Sequence, residues 1–453
     1  MKVYSNILEM VGETPMLEVT NIDTGPCRLF LKLELMNPGG SIKDRIGISM
    51  IEQAEKRGDI KSGDTLVEAT AGNTGLGLAL VAARKGYHLI LVLPDKMSQE
   101  KIFNLRAMGA KVVLTRSDVG RGHPEYYQDL GRKIAEEKGA YFINQFGNPD
   151  NPLAHETGTA PEILKQMDGD LDAIVLGVGS SGTVSGIGKY LAENAPQVDM
   201  ILADPVGSVL TNWINKGEMD VGGSWLVEGI GEDFVPDIAN FEKVTKAYAI
   251  SDAESFAAAR NLLRQEGVLA GSSSGTCMAA ALKYCREQTE AKRVVTFACD
   301  TGNKYLSKLF NDFWMEDQGF IERESFGDLR DLVGRPHGEQ ATITVGPTDV
   351  LTTAHNRLRN AGFSQLPVMD GGRLVGIVTE DAIIQFVYGH PELMAAPVED
   401  AMESVFIKLD KTASVNSLVA MLRVQPYAAV LDGEDFVGLI TRSDVLNYLR
   451  RQV

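Results

Sequence analysis

Between about residue 60 and residue 300, apolar runs with strand character alternate with helical segments. The strand-like runs are DTLVEAT, HLILVLP and KVVLT, followed later by LDAIVLGVGSSG, VDMILADP and KRVVTFACD. Helical patterns such as GLGLALVAARKG and EKIFNLRAMG lie between them. This alternation predicts a doubly wound α/β fold, with parallel strands covered by helices on both faces. Ligands of such folds bind where strands end and helices begin.

The C-terminal part of the chain contains an internal repeat. PVMDGGRLVGIVT, residues 367–379, aligns with AVLDGEDFVGLIT, residues 429–441, at an offset of 62 residues. Each copy predicts a hairpin with an Asp-Gly turn, followed by a helix. A unit of this size buries little core by itself, so we expect the two copies to pack as a pair.

The stretch EDQGFIERESFGDLRDLVGRPHGEQ separates these two patterns, is charged and lacks a core-forming pattern. We therefore expect four parts within the 453 residues. They are an α/β domain over residues 1–318, a linker over 319–338, and the two repeated modules over 339–395 and 396–453.

The formal net charge of −17 argues against binding to nucleic acid or to an anionic membrane surface. No apolar run has the length of a signal peptide core or of a transmembrane helix. The chain has only four cysteines, and no two of them form a CxxC pair. Such cysteine usage is typical of a cytosolic protein with reduced thiols. We therefore expect a cytoplasmic protein without a metal site.

Lys43 lies in an unusual place, after a glycine pair and at the start of a helical run in MNPGGSIKDRIG. Ser41 can cap the helix that follows, which puts Lys43 in the first turn. A helix N-terminus carries partial positive charge, so a lysine there has no local electrostatic benefit. On this stretch alone, a surface lysine and a functional amine fit the pattern equally well.

Three glycine-rich loops follow predicted strands and precede predicted helices. They are TAGNTG at Thr70–Gly75, GVGSSGTVSG at Gly177–Gly186 and GSSSG at Gly271–Gly275. Backbone N–H groups and short polar side chains at such turns form nests for a phosphate or a carboxylate. Each loop alone is explained equally well by a tight turn before a capped helix.

The second loop also fits the dinucleotide-binding fingerprint G-x-G-x-x-G. Gly177, Gly179 and Gly182 supply the glycines, and Asp204 ends a predicted strand about 20 residues further on. Taken alone, this pattern favours an NAD-dependent dehydrogenase. A dinucleotide enzyme, however, has no use for a lysine beside an anion nest. An enzyme that uses pyridoxal 5′-phosphate (PLP) needs both.

The chain resembles the fold type II PLP enzymes, the family of cysteine synthase and cystathionine β-synthase, over roughly residues 4 to 318. The segments that carry the resemblance are GGSIKDR, TAGNTG, GVGSSGT, NPLAH, VEGIG and GSSSG. The resemblance implies two doubly wound subdomains of parallel sheet, and it makes the repeat similar to a tandem pair of CBS domains. NPLAH, VEGIGEDF and that pair favour the cystathionine β-synthase branch.

The same resemblance assigns roles to individual residues. It implies that Lys43 carries PLP as a Schiff base and acts as general base. Asn73 would contact the cofactor's 3′ oxygen, and Ser273 would meet its pyridine nitrogen as a neutral hydroxyl. The remaining implied residues are Gly179, Ser180, Ser181, Gly182 and Thr183 around the phosphate, Thr70, Ala71, Asn73, Thr74 and Gln145 around the substrate carboxylate, and Phe146 and Glu228 near the second substrate. Ala71 and Ser181 depart from the serine and glycine common in the family.

The implied reaction is a PLP-dependent β-replacement on small amino acids, in which homocysteine replaces the hydroxyl of serine to give cystathionine. Cysteine in place of serine would release hydrogen sulfide. The alternatives are a cysteine synthase that uses O-acetylserine and sulfide, a variant that uses O-phosphoserine, and a ligand-binding regulator, against which Lys43 argues. The resemblance also implies a homodimer or larger homo-oligomer. We expect no haem, because the catalytic pattern NILEMVGETPM begins within the first residues.

Paired CBS domains commonly hold an adenosyl ligand through a Thr/Ser-x-x-Asp motif, whose Asp accepts from the ribose. Thr441 and Asp444 fit this motif, whereas Ala382 takes the Asp position after Thr379 in the first copy. We therefore expect a single cleft, lined from the other copy by Phe363, Ser364, Gln365 and Leu366. The alternative is that the pair only packs or mediates oligomerisation.

Overall fold

The computed structural model describes residues 3–70 and 72–450. It divides into two compact units between Asn311 and Asp312, and the predicted domain boundary at residue 318 stays a prediction. Among the described residues, no helix is both long enough and apolar enough to cross a bilayer.

The first unit alternates strands and helices as the sequence predicts. Its strands are β1 (Met16–Glu18), β2 (Arg28–Lys32), β3 (Thr65–Ala69), β4 (His88–Pro94), β5 (Lys111–Thr115), β6 (Tyr141–Phe142), β7 (Ala173–Gly177), β8 (Asp199–Pro205), β9 (Val244–Ile250) and β10 (Arg293–Phe297). Its helices are α1 (Lys43–Arg57), α2 (Asn73–Lys85), α3 (Gln99–Ala107), α4 (Tyr127–Lys138), α5 (Asp150–Ala154), α6 (Ala160–Gln166), α7 (Gly182–Asn194), α8 (Leu210–Lys216), α9 (Asp252–Glu266) and α10 (Ser272–Arg286).

These strands form two sheets. The larger has the order β1-β2-β10-β7-β8-β9, and only the edge strand β1 is antiparallel to its neighbour. The smaller has the order β5-β4-β3-β6 and is parallel throughout. The predicted fold class, with two doubly wound parallel sheets, is confirmed.

The central strand β7 shows why its sequence is almost continuously apolar. Ile174 and Leu176 pack into one buried cluster with the helix residues Val184 and Ile187, while Val175 packs into another on the opposite face, with Cys277 and Ala281 of α10. Both faces are covered, so the strand lacks the alternation of a half-exposed strand. Its carboxyl end is thereby fixed between two helix layers.

The second unit contains the repeat. Its helices are α11 (Asp312–Asp317), α12 (Leu351–Ala361), α13 (Glu380–Val387), α14 (Val415–Met421) and α15 (Arg442–Arg450), and its strands are β11 (Gln365–Asp370), β12 (Arg373–Thr379), β13 (Lys408–Asp410), β14 (Tyr427–Asp432) and β15 (Asp435–Thr441). The hairpins β11–β12 and β14–β15 turn directly after Asp370 and Asp432, as predicted, and each is followed by a helix.

Each copy of the repeat buries apolar residues of the other copy's leading segment, which is the chain just before or at the start of that copy. Leu329, Leu332 and Val333 lie before the first copy but are buried in the core of the second, beside Leu418 and Ile440. Conversely, Val398 lies at the start of the second copy and is buried in the core of the first. Each core is completed by the other copy's leading segment, which gives a physical reason for the pairing. The stretch expected to lack a core-forming pattern therefore supplies core residues.

Candidate active site

A cavity of about 280 Å³ opens in the first unit at the carboxyl ends of strands from both sheets. Its wall includes residues directly after β3, β7 and β10, which is where ligands of doubly wound folds bind. The sequence-predicted residues in this wall are Lys43, Thr70, Asn73, Thr74, Gln145, Phe146, Gly179, Ser180, Thr183, Glu228 and Ser273. Ser181 and Gly182 lie in the second glycine-rich loop but not in the wall, and Ala71 lies outside the described residues.

Lys43 is the first residue of α1, and its backbone N–H donates to the Ser41 hydroxyl at 3.2 Å. The helix packs closely on α2, because a Cβ at Gly77 would lie only 2.6 Å from the Lys43 carbonyl oxygen. Burial lowers the pKa of the Lys43 amine, against the opposing effect of Cys299 and Asp300. The site thus holds an amine with an increased neutral fraction beside the start of α2.

Asn73 begins α2 and is held by two charged groups. Its Nδ2 donates to Asp300 Oδ2 at 2.7 Å, and Lys304 Nζ donates to its Oδ1 at 3.0 Å. Tyr305 donates from its hydroxyl to the same Asp300 oxygen at 2.6 Å. Burial lowers the pKa of Lys304 to about 8. One Nδ2 hydrogen of Asn73 remains for a ligand.

The start of α2 has the free N–H groups that the predicted anion nest requires, since the first N–H groups of a helix have no intrahelical partner. Thr74 donates from its hydroxyl to Gln145 Oε1 at 2.7 Å, and Gln145 Nε2 donates to the Ala69 carbonyl at 2.9 Å. Below them, burial raises the pKa of Glu68 to about 8, so this carboxyl is mostly protonated at neutral pH. The Glu68 carboxyl therefore adds little negative charge that would repel an anion.

The second glycine-rich loop leads into α7 and has the features of an anion cradle. A Cβ at Gly179 would lie 2.6 Å from the Gly229 carbonyl oxygen, so only glycine allows this approach. Ser181 has φ 64°, a left-handed conformation that favours glycine and costs other residues free energy. Thr183 Oγ1 lies 3.2 Å from His155 Nε2, and burial lowers the pKa of His155 well below its usual value. The loop therefore presents N–H groups to the cavity, and the neutral imidazole of His155 lies beside its Thr183.

Ser273 is the second residue of α10, and its side chain is buried in the cavity wall. The hydroxyl of the preceding Ser272 accepts from the backbone N–H of Glu228 at 3.0 Å. The third glycine-rich loop is therefore joined to the segment that contains Glu228.

Phe146 and Glu228 form another part of the wall. Phe146 packs against Tyr127 and Phe234, with ring centroids 6.4 and 5.6 Å apart. Glu228 pairs with Lys101 at 2.7 Å and with Lys308 at 2.6 Å. Burial alone would raise the pKa of Glu228, but the two lysines lower it, so this carboxylate stays ionised.

Sequence reasoning missed the polar residues that support this wall, namely Lys101, Asp300, Lys304 and Tyr305. The last three belong to CDTGNKY, which follows β10 directly. A usable signal was present, since this is a fourth loop at the carboxyl end of a parallel strand. This loop was not predicted as part of the site because it is not rich in glycine.

In the second unit, the segment that contains Gly334 and Arg335 lies between the residues expected to line a nucleotide cleft. Asp444 Oδ2 accepts from the N–H and hydroxyl of Thr441 at 2.7 and 2.6 Å, and a Cβ at Gly334 would lie 2.7 Å from Asp444 Oδ1. The Arg335 guanidinium lies 4.4 Å from the ring centroid of Phe363. Of the other predicted lining residues, Gln365 accepts from the Ser364 hydroxyl and Leu366 is buried in the core of the first copy.

Both units match known families. Residues 7–300 match the family described as pyridoxal-phosphate dependent enzyme. Residues 339–389 and 398–451 each match the CBS domain family.

Curated relatives match along nearly the whole chain. Cystathionine beta-synthase of Apis mellifera is 35% identical over 463 residues, which covers 99% of this chain and 92% of the relative. Cystathionine beta-synthase of Saccharomyces cerevisiae is 34% identical and covers 98% of this chain and 97% of the relative.

Solved structures resemble the first unit. A hydrogen sulfide-producing enzyme from Fusobacterium nucleatum superposes with a TM-score of 0.62 at 35% identity, over 67% of this chain and 100% of its own. An O-acetylserine dependent cystathionine beta-synthase from Helicobacter pylori has a TM-score of 0.62 at 38% identity, over 68% of this chain and 99% of its own. The chain therefore belongs to the pyridoxal-phosphate dependent enzymes, as a member of the cystathionine beta-synthase family with a pair of CBS domains.

Proposed function

We propose that this PLP-dependent enzyme condenses L-serine with L-homocysteine to L-cystathionine by β-replacement. The main support is that one cavity contains the Lys43 amine, the proposed carboxylate nest at the start of α2 and the proposed anion cradle before α7. The curated cystathionine beta-synthases, 34–35% identical over nearly the full chain, support this reaction. With cysteine as first substrate the enzyme would release hydrogen sulfide, which agrees with the name of the Fusobacterium relative.

The residues of the cavity fit PLP. Lys43 offers an amine that can react with the aldehyde of PLP. The loop before α7 offers N–H groups for the phosphate, and its position 179 has room only for glycine. Asn73 has one N–H left for the 3′ oxygen, and Ser273 offers a neutral partner for the ring nitrogen. When bound, PLP supplies an electron-withdrawing ring that acidifies the α-C–H bond of an attached amino acid.

Lys43 is the proposed acceptor of the α-proton, at its Nζ. A base must be neutral before it can accept a proton, and burial increases the neutral fraction of this amine by lowering its pKa. Backbone packing between α1 and α2 keeps Lys43 next to the carboxylate nest. The base and the substrate-binding helix are therefore positioned by the same contact.

The start of α2 is the proposed binding site for the substrate carboxylate, with Thr70, Thr74 and Gln145. Gln145 is fixed on one side by the Ala69 carbonyl and on the other by Thr74, so it needs little ordering on binding. Phe146 and Glu228 form the proposed wall for the second amino acid. The aromatic packing of Phe146 against Tyr127 and Phe234 would help to exclude water from the reacting atoms.

Competition between substrate pairs tests the choice of reaction, reported as ratios of kcat/KM. The pairs are serine with homocysteine, O-acetylserine with sulfide, O-phosphoserine with either nucleophile, and O-acetylserine with homocysteine, which the name of the Helicobacter relative suggests. We expect serine with homocysteine to give the highest value. Preference for O-acetylserine with sulfide would make the enzyme a cysteine synthase. Preference for another donor with homocysteine would change only the leaving group.

We also propose that the CBS pair binds one adenosyl ligand, next to Thr441 and Asp444. In the first copy the corresponding place holds a protein carboxylate, since the Thr379 hydroxyl donates to Glu403 at 3.4 Å and Tyr427 to the same group at 2.6 Å. Calorimetric titration of the full chain with S-adenosylmethionine and with AMP tests this proposal. Heat from neither ligand would leave the pair a structural role.

The protein is further proposed to work as a homodimer in the cytoplasm. The family resemblance supports the dimer. The four cysteines, all free thiols, agree with a reducing compartment. Sedimentation equilibrium of the full chain tests the oligomeric state, and a monomer at micromolar concentration would contradict it.

A further inference from the structure

Cys277 and Cys299 bring two thiols together at the edge of the active-site cavity. Their Sγ atoms lie 3.9 Å apart. Cys277 is fully buried on α10, whereas Cys299 is partly exposed and forms part of the cavity wall. A small molecule that enters the cavity therefore meets Cys299 first, with Cys277 directly behind it.

The backbone of Cys299 also forms hydrogen bonds with two segments of the site, one next to Lys43 and one next to Ser273. Its carbonyl accepts from the backbone N–H of Ile42, the neighbour of Lys43, at 2.9 Å. Its own N–H donates to the hydroxyl of Ser274, the neighbour of Ser273, at 2.9 Å. A movement of Cys299 is consequently transmitted to the residues on both sides of the proposed cofactor position.

We propose that Cys277 and Cys299 form a reversible modification site, which a small hydroperoxide oxidises to an intrachain disulfide. The Cys299 thiolate attacks one oxygen of hydrogen peroxide, the O–O bond breaks, and a sulfenic acid and hydroxide form. The sulfur of Cys277 then displaces the hydroxyl group from that sulfenic acid, and the S–S bond forms. In total, two thiols and one peroxide give one disulfide and two waters. The thiol sulfurs are oxidised and the peroxide oxygens reduced.

The order of the two steps follows from the surroundings of each thiol. The hydrogen bond with Cys299 and burial both raise the pKa of Cys277, so it is a poor first nucleophile and serves as the resolving thiol. The sulfurs must approach from 3.9 Å to about 2.05 Å. Because Cys277 is fixed within α10, this contraction should pull mainly on Cys299, whose backbone holds the hydrogen bonds to Ile42 and Ser274.

The remaining cysteines supply an internal control. Cys27 lies against Cys285, with its Sγ 3.6 Å from the Cys285 carbonyl oxygen. Both are buried, and neither belongs to the wall of the active-site cavity. Peroxide should therefore oxidise Cys277 and Cys299 while Cys27 and Cys285 stay reduced.

Peptide mapping of the peroxide-treated holoenzyme tests the site without any measurement of turnover. We expect a cross-linked peptide pair that contains Cys277 and Cys299, is two hydrogens lighter than the free peptides, and disappears with dithiothreitol. Cys277→Ala should yield no cross-link, and Cys277→Ser is the substitute if that variant fails to fold. Recovery of Cys277 and Cys299 as free thiols, or equal cross-linking of Cys27 with Cys285, would overturn the proposal.

The effect on catalysis rests on the proposed function and is measured separately. In the oxidised wild type, turnover should fall by about tenfold to 100-fold, because displacements near 1 Å in an active site have such effects. Dithiothreitol should restore it. Cys285→Ala should behave like wild type, each protein being compared with its own untreated activity. Unchanged turnover in fully cross-linked protein would refute the coupling to catalysis. An enzyme inactive before treatment would instead count against the proposed function.

Discussion

Asn73 donates from Nδ2 to Asp300 at 2.7 Å, although 227 positions separate the two residues in the sequence. Lys304 donates to the other end of the same amide. A carboxylate only accepts and an ammonium only donates, so the Asn73 amide has one allowed orientation. Its second N–H is thereby aimed away from Asp300 before any ligand binds, which lowers the ordering cost of binding.

Asp300→Asn should weaken this orientation, because an amide can either donate or accept and only Lys304 would still fix the Asn73 amide. We expect PLP to dissociate about tenfold more readily or more, since a hydrogen bond to a charged group is worth about 1.5–3 kcal/mol. The absorption of the bound cofactor should change as well. Titration of the apo-protein with PLP gives both values. Tyr305→Phe removes the other donor to Asp300 without touching Asn73 and is the matched control. Equal effects of both substitutions would show that Asn73 orientation is not the cause.

Lys43→Ala should abolish turnover, because the variant loses both the amine that holds PLP and the proposed base. PLP should still bind, through the α7 loop, but should be removed by dialysis. Activity and cofactor retention are measured on the same preparation. Activity within about tenfold of wild type would contradict both roles of Lys43.

The reactivity of Lys43 should also depend on pH in a defined direction. Burial lowers the pKa of its amine, and only the neutral amine attacks an aldehyde. The rate of PLP attachment to the apo-protein should therefore rise at lower pH than expected for a free lysine with a pKa of about 10.4. Stopped-flow absorbance over about pH 6 to 11.5, which extends beyond the free-lysine pKa, measures this profile. A midpoint at the free-lysine value would mean that the cavity leaves the amine unperturbed.

Local patterns predicted the parallel sheets, because apolar strands are visible in a short window, and the match of two short segments at a fixed offset of 62 residues predicted the repeat. Neither pattern could predict the contact of Asn73 with Asp300, which folding brings together from distant parts of the chain. The same limit applies to Leu332 and Val333, whose apolar neighbours belong to the second copy of the repeat. Ser181 shows another limit. Serine stands here where glycine is common in the family, and the loop keeps the turn by placing this serine in a left-handed conformation.

Arg45 should be critical for stability, since it pairs with Glu34 at 2.8 Å and with Glu162 at 2.7 Å. The Glu34 side chain is 0% exposed, so Arg45→Met would leave a buried carboxylate without its cation. We expect a loss of about 3–5 kcal/mol in the free energy of unfolding, measured in urea. Arg116→Met breaks an ion pair whose side chains are 51% and 67% exposed, and it should leave the unfolding midpoint unchanged. Similar midpoints for both variants would refute the importance of the buried pair.

Asp444 and Arg335 should affect adenosyl binding in opposite directions. Asp444→Ala removes the proposed ribose acceptor, so S-adenosylmethionine should no longer give measurable heat in calorimetry. The Arg335 guanidinium covers the Phe363 ring at 4.4 Å, and an adenine that stacks there must displace it. Since such a cation–π contact is worth about 0.5–1 kcal/mol, Arg335→Ala should strengthen binding by about twofold to fivefold. Arg357→Ala, in the same unit but paired with Asp349, is the control. Binding that survives Asp444→Ala, or is lost with Arg335→Ala, would place the ligand elsewhere.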